Sequence, residues 1–174
     1  STHTRIRRDR ATNSGRSQEI SRLIGRSLRA AVDLKALGER QVYVDCDVLQ
    51  ADGGTRTAAI TGGFVALALA MKYLKDQNII KEWPLSHYVA AISAGIKEGE
   101  AILDLNYDED SSIHTDMNFV MNNRKEFIEI QGTAEKTSFS REELGQMLDL
   151  AEKACKELMK EQQKVLGDFF NLEI

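Results

Sequence analysis

Two cysteines in 174 residues, Cys46 and Cys155, far apart and in no CxxC pattern, exclude a disulfide framework and a structural zinc site. Thiols used so sparingly fit a reducing cytoplasm. No serine sits in a GxSxG elbow and neither cysteine has a recognisable partner histidine, so covalent catalysis has no support. Aromatic residues make up only 6% of the chain, which leaves few stacking platforms. The most apolar window, residues 57–71 ("TAAITGGFVALALAM"), is shorter than the roughly 20 residues that a membrane-spanning helix needs and contains two glycines. It reads as a buried helix, and no membrane partner is expected. With repeats and low-complexity linkers also lacking, 42% hydrophobic and 29% charged residues are enough for one compact domain over residues 1–174.

Lysine is missing from the first thirty residues. Eight arginines (5, 7, 8, 10, 16, 22, 26 and 29) stand there against Asp9 and Glu19, a net of +6, which leaves −10 for the rest of a chain whose total is −4. A solvated face would usually mix signs, whereas an arginine-only block suits a polyphosphate or nucleic acid. Arg5, Arg7, Arg8, Arg10, Arg22 and Arg26 are therefore candidates for binding a polyphosphate or nucleic acid. Residues 1–13 carry few large apolar groups and read as a basic arm that a partner would order. The start at Ser1, inside this basic tract and without a signal peptide, suggests sequence upstream.

Hydrophobic spacing predicts the elements. Ile20, Leu23, Ile24, Leu28, Ala31 and Val32 recur at helical intervals from about Ser14 to Leu37, and Gly38 is placed to end the helix. "QVYVDCDVLQ" alternates strictly and reads as a strand with Val42, Val44, Cys46 and Val48 inward. After the buried helix, "HYVAAISAGIKEGEAILDL" and "MNFVMNNRKEFIEIQ" each read as two strands about a polar turn. Ser140 and Glu143 form a capping box that opens a last helix with Leu144, Met147, Leu148, Ala151, Cys155 and Leu158 inward. The order helix, strand, helix, four strands, helix describes an α+β domain in which helices cover one face of a mixed sheet.

Two clusters carry chemistry. In "QADGGTRT", residues 50–57, paired glycines let backbone N–H groups approach a ligand, and a threonine opens a helix whose dipole favours an anion. The arginine adds a two-pronged donor that matches phosphate. Gly54, Thr55 and Arg56 are thus a candidate phosphate site, distinct from the nucleotide P-loop because no lysine follows the glycines. The second cluster, "DLNYDEDSSIHTDMN", holds Asp104, Asp108, Glu109, Asp110 and Asp116. Five carboxylates so close repel one another unless they are solvated or hold a hard cation such as Mg²⁺ or Mn²⁺. An EF-hand is excluded, because Glu109 stands where its glycine is required and Thr115 where its bidentate glutamate belongs. Either a solvated acidic loop or a metal site fits this stretch. His114 lies among the carboxylates, while His3 and His87 have no partner in sequence.

Four segments in this order and spacing, "SGRSQEISRLIGRSLRAAVDL", "DCDVLQADGGTRTAAITGGFVAL", "DLNYDEDSSIHTDMNFVM" and "IQGTAE", resemble the ribonuclease PH family along nearly the whole chain. Ser17 stands where that family often has threonine, and Ile113-His114 where small or acidic residues are frequent. The resemblance implies the ribonuclease PH / ribosomal protein S5 domain 2-like fold, with an upstream segment of several strands that this chain lacks and that would pair with residues 41–50. It implies a phosphate-dependent 3′-to-5′ exoribonuclease that trims tRNA precursors, releases nucleoside diphosphates and runs reversibly as a nucleotidyltransferase. By similarity Arg16, Thr55 and Arg56 hold phosphate as co-substrate, and Asp110 and Asp116 carry Mg²⁺ (or Mn²⁺), which makes Arg56, Asp110 and Asp116 the catalytic set. The implied assembly is a hexameric ring, a trimer of dimers. The alternative is a catalytically silent, RNA-binding ring subunit of the exosome type, and a hydrolytic metal-dependent nuclease would have no use for a second phosphate site.

Overall fold

The computed structural model describes residues 14–113, 115–134 and 137–174, with backbone only for Asp110 and Ser111. Ser14 opens helix α1 (Gly15–Arg29), its hydroxyl accepting the Ser17 N–H at 3.1 Å, and Leu23 and Leu28 turn into the core. The helix expected to reach Leu37 stops here. Asp33 donates its N–H to the Pro84 carbonyl at 2.7 Å and the Ala31 carbonyl accepts from Ser86 N–H at 3.0 Å, so the backbone of residues 31–33 bridges to another segment. Asp33 then caps a separate turn, α2 (Leu34–Leu37), by accepting from the Lys35 and Ala36 N–H groups, and Gly38 ends it at φ +71°.

Residues 41–48 carry no regular structure; Val42 and Val44 are half-buried between exposed neighbours, whereas Cys46 and Val48, expected inward, are exposed. They form no strand. A strand exists only through ladder hydrogen bonds, and among the described residues none runs alongside this segment.

Helix α3 (Thr55–Asp76) has 22 residues and is long and apolar enough to cross a membrane, so the length argument drawn from residues 57–71 fails. Packing decides its place instead: Ile60, Phe64, Ala68 and Met71 are fully buried, and the Phe64 ring sits 5.8 Å from Tyr88 and 5.9 Å from Phe170.

Strands β1 (Val89–Lys97) and β2 (Glu100–Leu103) turn at Glu98 and Gly99, both at positive φ. A short helix, α4 (Tyr107–Ser112), precedes β3 (Thr115–Asn122) and β4 (Phe127–Ala134), and α5 (Arg141–Leu166) closes the fold with a 3₁₀ turn, Gly167–Phe170. Ser140 and Glu143 form the expected capping box, and Met147, Ala151 and Cys155 are buried. Burial pushes the Cys155 thiol up to about 12. The sheet order is β2-β1-β3-β4 and every pairing is antiparallel, not mixed. Its tight turns join neighbouring strands directly, whereas parallel neighbours need long crossovers.

Short β2 leaves part of β1 with an open edge, which helices seal. The Thr61 hydroxyl accepts the Ala91 N–H at 3.0 Å and faces the Ala91 carbonyl at 3.3 Å, while Gln162 Nε2 donates to the Val89 carbonyl at 2.8 Å. The Asp104 N–H closes the row on the Ser93 carbonyl at 2.9 Å. Satisfying these groups keeps the edge from pairing elsewhere, and it ties α3, α5 and the acidic segment to one strand.

Candidate active site

Gly54 caps α3 in the left-handed region, at φ +61° and ψ +22°, and contributes no side-chain cap. The first-turn N–H groups of a 22-residue helix therefore end at a bare glycine, where the dipole favours an anion. Thr57 is inverted to the inside, its hydroxyl donating to the Gly54 carbonyl at 2.8 Å, which stiffens the corner.

The acidic segment packs against this corner. A β-carbon on Gly53 would stand 1.6 Å from the Leu105 carbonyl oxygen, and Asp52 Oδ1 accepts the Tyr107 N–H at 2.8 Å. Leu105 and Ile113, both buried, anchor the two ends of the segment on the sheet over Gly95, where a β-carbon would come within 2.6 Å of Ile113 Cδ1. Between these anchors Asn106 caps α4 and shares a capping box with Glu109. The stretch expected to be a loop is thus a helical turn on a two-point anchor, and Asn106-x-x-Glu109 was the signal for it.

Strand register then aligns the polar groups. Asp116 lies opposite Gly95 and Asn118 opposite Ser93, so these positions share one face of the sheet, next to Gln131 and Thr133 of β4. Asp116 is half-buried. The Ser93 hydroxyl is buried without a hydrogen-bond partner among the described residues, and it lies 3.4 Å from the β-position of Gly54; Asp104 Oδ1 lies 3.6 Å from the same point. Arg56, one-quarter exposed, has its Nη1 3.9 Å from Glu19 Oε1 of α1. Glu19 also accepts from Gln131 Nε2 at 3.1 Å.

Gly54, Thr55 and Arg56 are therefore brought together with Asp104 and with the face that carries Asp116. Arg16 is exposed on the first turn of α1, one turn before Glu19. Arg22 is exposed, whereas Arg26 directs Nε and Nη2 at the two carboxylate oxygens of Glu129, tying α1 to β4. Arg5, Arg7, Arg8, Arg10 and His114 lie outside the described residues, and for Asp110 only the backbone, within α4, is described. Among the described residues no group of three or more His, Cys, Asp or Glu side chains converges as a metal centre. The local donor set nevertheless suits a hard divalent cation: the Asp104 carboxylate and the Ser93 hydroxyl are oxygen donors beside the α3 N-terminus, and Asp116 is on the same sheet face as Ser93. Ser93 and Glu19 were not legible as site residues, because only strand register and helix packing bring them to the corner.

Comparison with known proteins decides the family. Residues 1–72 match the 3′ exoribonuclease family, domain 1, and residues 87–154 match its domain 2. The ribonuclease PH of Bdellovibrio bacteriovorus is 63% identical over 99% of this chain and 71% of its own length. The chain belongs to the ribonuclease PH family. The ribonuclease PH of Syntrophomonas wolfei is 60% identical over 96% of this chain, again across 71% of its own length. Among solved structures, rice Rrp46 superposes with a TM-score of 0.69 at 20% identity, covering 88% of this chain and 67% of its own. An archaeal exosome core gives 0.66 at 16% identity, over 87% and 65%. At such identities these two establish the fold alone, and it is the ribonuclease PH / S5 domain 2-like fold.

Proposed function

We infer that the corner where Gly54, Thr55 and Arg56 meet the acidic segment is where inorganic phosphate attacks the 3′ end of an RNA. Ribonuclease PH chemistry is phosphorolytic 3′-to-5′ exoribonuclease activity with phosphate as co-substrate, and the chain is such an enzyme. The single observation that carries the site is the docking of the Gly53-Gly54 turn on Leu105, which sets an anion-binding helix end beside carboxylates.

A phosphate oxygen forms a bond to the phosphorus of the last phosphodiester, the bond from that phosphorus to the 3′ oxygen of the preceding nucleotide breaks, and a nucleoside diphosphate leaves. The shortened RNA keeps a 3′ hydroxyl, so the reverse reaction adds nucleotides. Two anions must meet, and unit charges about 4 Å apart repel by about 1 kcal/mol even in bulk water. The α3 N-terminus with Arg16, Thr55 and Arg56 offsets that repulsion on the attacking side and holds the phosphate in line. Asp110 and Asp116 would hold Mg²⁺ (or Mn²⁺), which when bound neutralises charge on the scissile phosphate. We assign Arg5, Arg7, Arg8, Arg10, Arg22 and Arg26 to RNA binding through their charge, with Arg26 also fixing α1 through Glu129.

RNA binding and ring-like assembly go with the family and its exosome-ring neighbours. Our finer reading is a hexamer built as a trimer of dimers, acting in the cytoplasm on tRNA precursors. A silent ring subunit is disfavoured by the presence of Arg56, Asp110 and Asp116 in one chain. Incubating an RNA that has a free 3′ end with Mg²⁺, with and without phosphate, tests the reading. Nucleoside diphosphates formed only with phosphate are expected; monophosphates formed without it would overturn phosphorolysis.

A further inference from the structure

Helix α1 carries a single carboxylate, Glu19, among the four arginines 16, 22, 26 and 29. Its Oε1 is 3.9 Å from Arg56 Nη1, too long for a hydrogen bond but well within reach of charge attraction. Such a contact steers the guanidinium without consuming the N–H it faces. Glu19 is itself held from the sheet, because Gln131 Nε2 of β4 donates to the same Oε1 at 3.1 Å. Two residues along β4, Glu129 grips Arg26 and so fixes how α1 lies over the strand. A polar chain thus runs from β4 through Gln131 and Glu19 to Arg56, at the mouth of the α3 helix end.

We propose that Glu19 is a positioning residue that aims the Arg56 fork at the phosphate and, by its own negative charge, weakens the grip of the corner on phosphate. The proposal rests on the reading that Arg56 binds phosphate. Its two parts oppose each other. Without Glu19 the guanidinium is free to wander over rotamers that miss the anion, and turnover falls. With Glu19 in place, phosphate binds next to a like charge, which lowers affinity and eases departure of the product.

Removing the charge and removing the side chain therefore act differently, and this separates a positioning role from a merely structural one. Glu19→Gln keeps the shape and the Gln131 contact, so the KM for phosphate falls about two- to fivefold, the effect of removing one unit charge several ångströms from an anion in a watery site, while kcat changes less than about twofold. Glu19→Ala loses the aim as well, so kcat falls about tenfold or more, and Glu19→Asp restores part of it. The KM for RNA stays the same in all three. Thermal melting checks that each variant is folded, and Glu19→Gln serves as the test should the alanine variant melt. Equal kinetics for Glu19→Gln and the parent enzyme, or a change only in the KM for RNA, would overturn the proposal. Arg56→Lys run in parallel separates the two levels. If it leaves the KM for phosphate unchanged, the site reading itself fails; if it raises that KM while Glu19→Gln does nothing, only the role of Glu19 fails.

Discussion

A β-carbon on Gly53 would stand 1.6 Å from the carbonyl oxygen of Leu105 and 3.2 Å from the carbonyl carbon of Asn106. The glycine turn and the acidic segment touch through bare backbone at this point, and no side chain can be inserted between them. Gly53→Ala must therefore push the phosphate corner away from the carboxylates. The expected result is a loss of about 1–3 kcal/mol in stability, the range for overpacking a tight contact, together with a fall in turnover larger than the fall in RNA affinity. Gly62, where a β-carbon would meet nothing within 4 Å, provides the control, since Gly62→Ala leaves both unchanged or slightly improves stability. Denaturant unfolding and phosphorolysis rates on the two variants check this.

His87 gives the fold a pH dependence. It is buried, and desolvation, helped by the nearby Arg124, moves its pKa below the ordinary value. The Ser86 hydroxyl contacts both the Ala31 carbonyl and His87 Nδ1, an arrangement that assigns the imidazole proton to Nδ1 and leaves a buried Nε2 without an acceptor for a second proton. Because the folded pKa lies below the unfolded one, the neutral ring favours the folded state fully above about pH 6.5. That contribution is lost as pH falls from there toward the folded value. Stability should decline as pH falls below about 6.5, with a slope of up to about 1.4 kcal/mol per pH unit, and His87→Gln should flatten that slope. An unchanged slope in that variant would assign the effect to other groups.

Much of this was legible locally, and the failures have one cause. The helix start near Ser14, the capping box at Ser140, the two hairpin turns, and the glycine-threonine-arginine start of α3 are decided by neighbours in sequence, and each stands where its spacing put it. The alternation of residues 41–48 reported the inward turn of Val42 and Val44 but not the exposure of Cys46 and Val48, because a strand also needs a partner, and periodicity carries no information about one. The break after Arg29 follows from the bridge between Val32 and Leu85, more than fifty residues away. Window length alone misjudged α3, whose helix continues past the most apolar stretch to Asp76. The composition of the phosphate corner was likewise readable, whereas Ser93, Glu19 and Leu105 reach it only through register and packing.

The acidic segment offers a comparison within itself. Asp108 is exposed on α4, whereas Asp116 stands on the sheet face beside Gly95. Asp110→Asn and Asp116→Asn should each reduce phosphorolysis by about 100-fold or more, as when a charge-stabilising group is lost, and stay slow at high Mg²⁺. RNA binding persists and tightens slightly at low salt, since negative charge near a polyanion is removed. Asp108→Asn tracks the parent enzyme. Rate against Mg²⁺ concentration for the three variants is the readout, and three superimposable curves would mean that the segment is only a solvated turn.

The assignment of phosphate to Gly54, Thr55 and Arg56 is tested most directly by the phosphate dependence of Arg56→Lys. Lysine keeps the charge but not the two-pronged donor, so the geometry at the α3 N-terminus is lost while the electrostatics around the RNA are preserved. The rate of nucleoside diphosphate release is measured against phosphate concentration on an RNA with a free 3′ end, beside the Kd for that RNA without phosphate. The account predicts a KM for phosphate raised at least about tenfold, or no measurable turnover, with the Kd for RNA within about twofold of the parent. A phosphate curve that overlays the parent would contradict it and move the attacking phosphate to another part of the molecule.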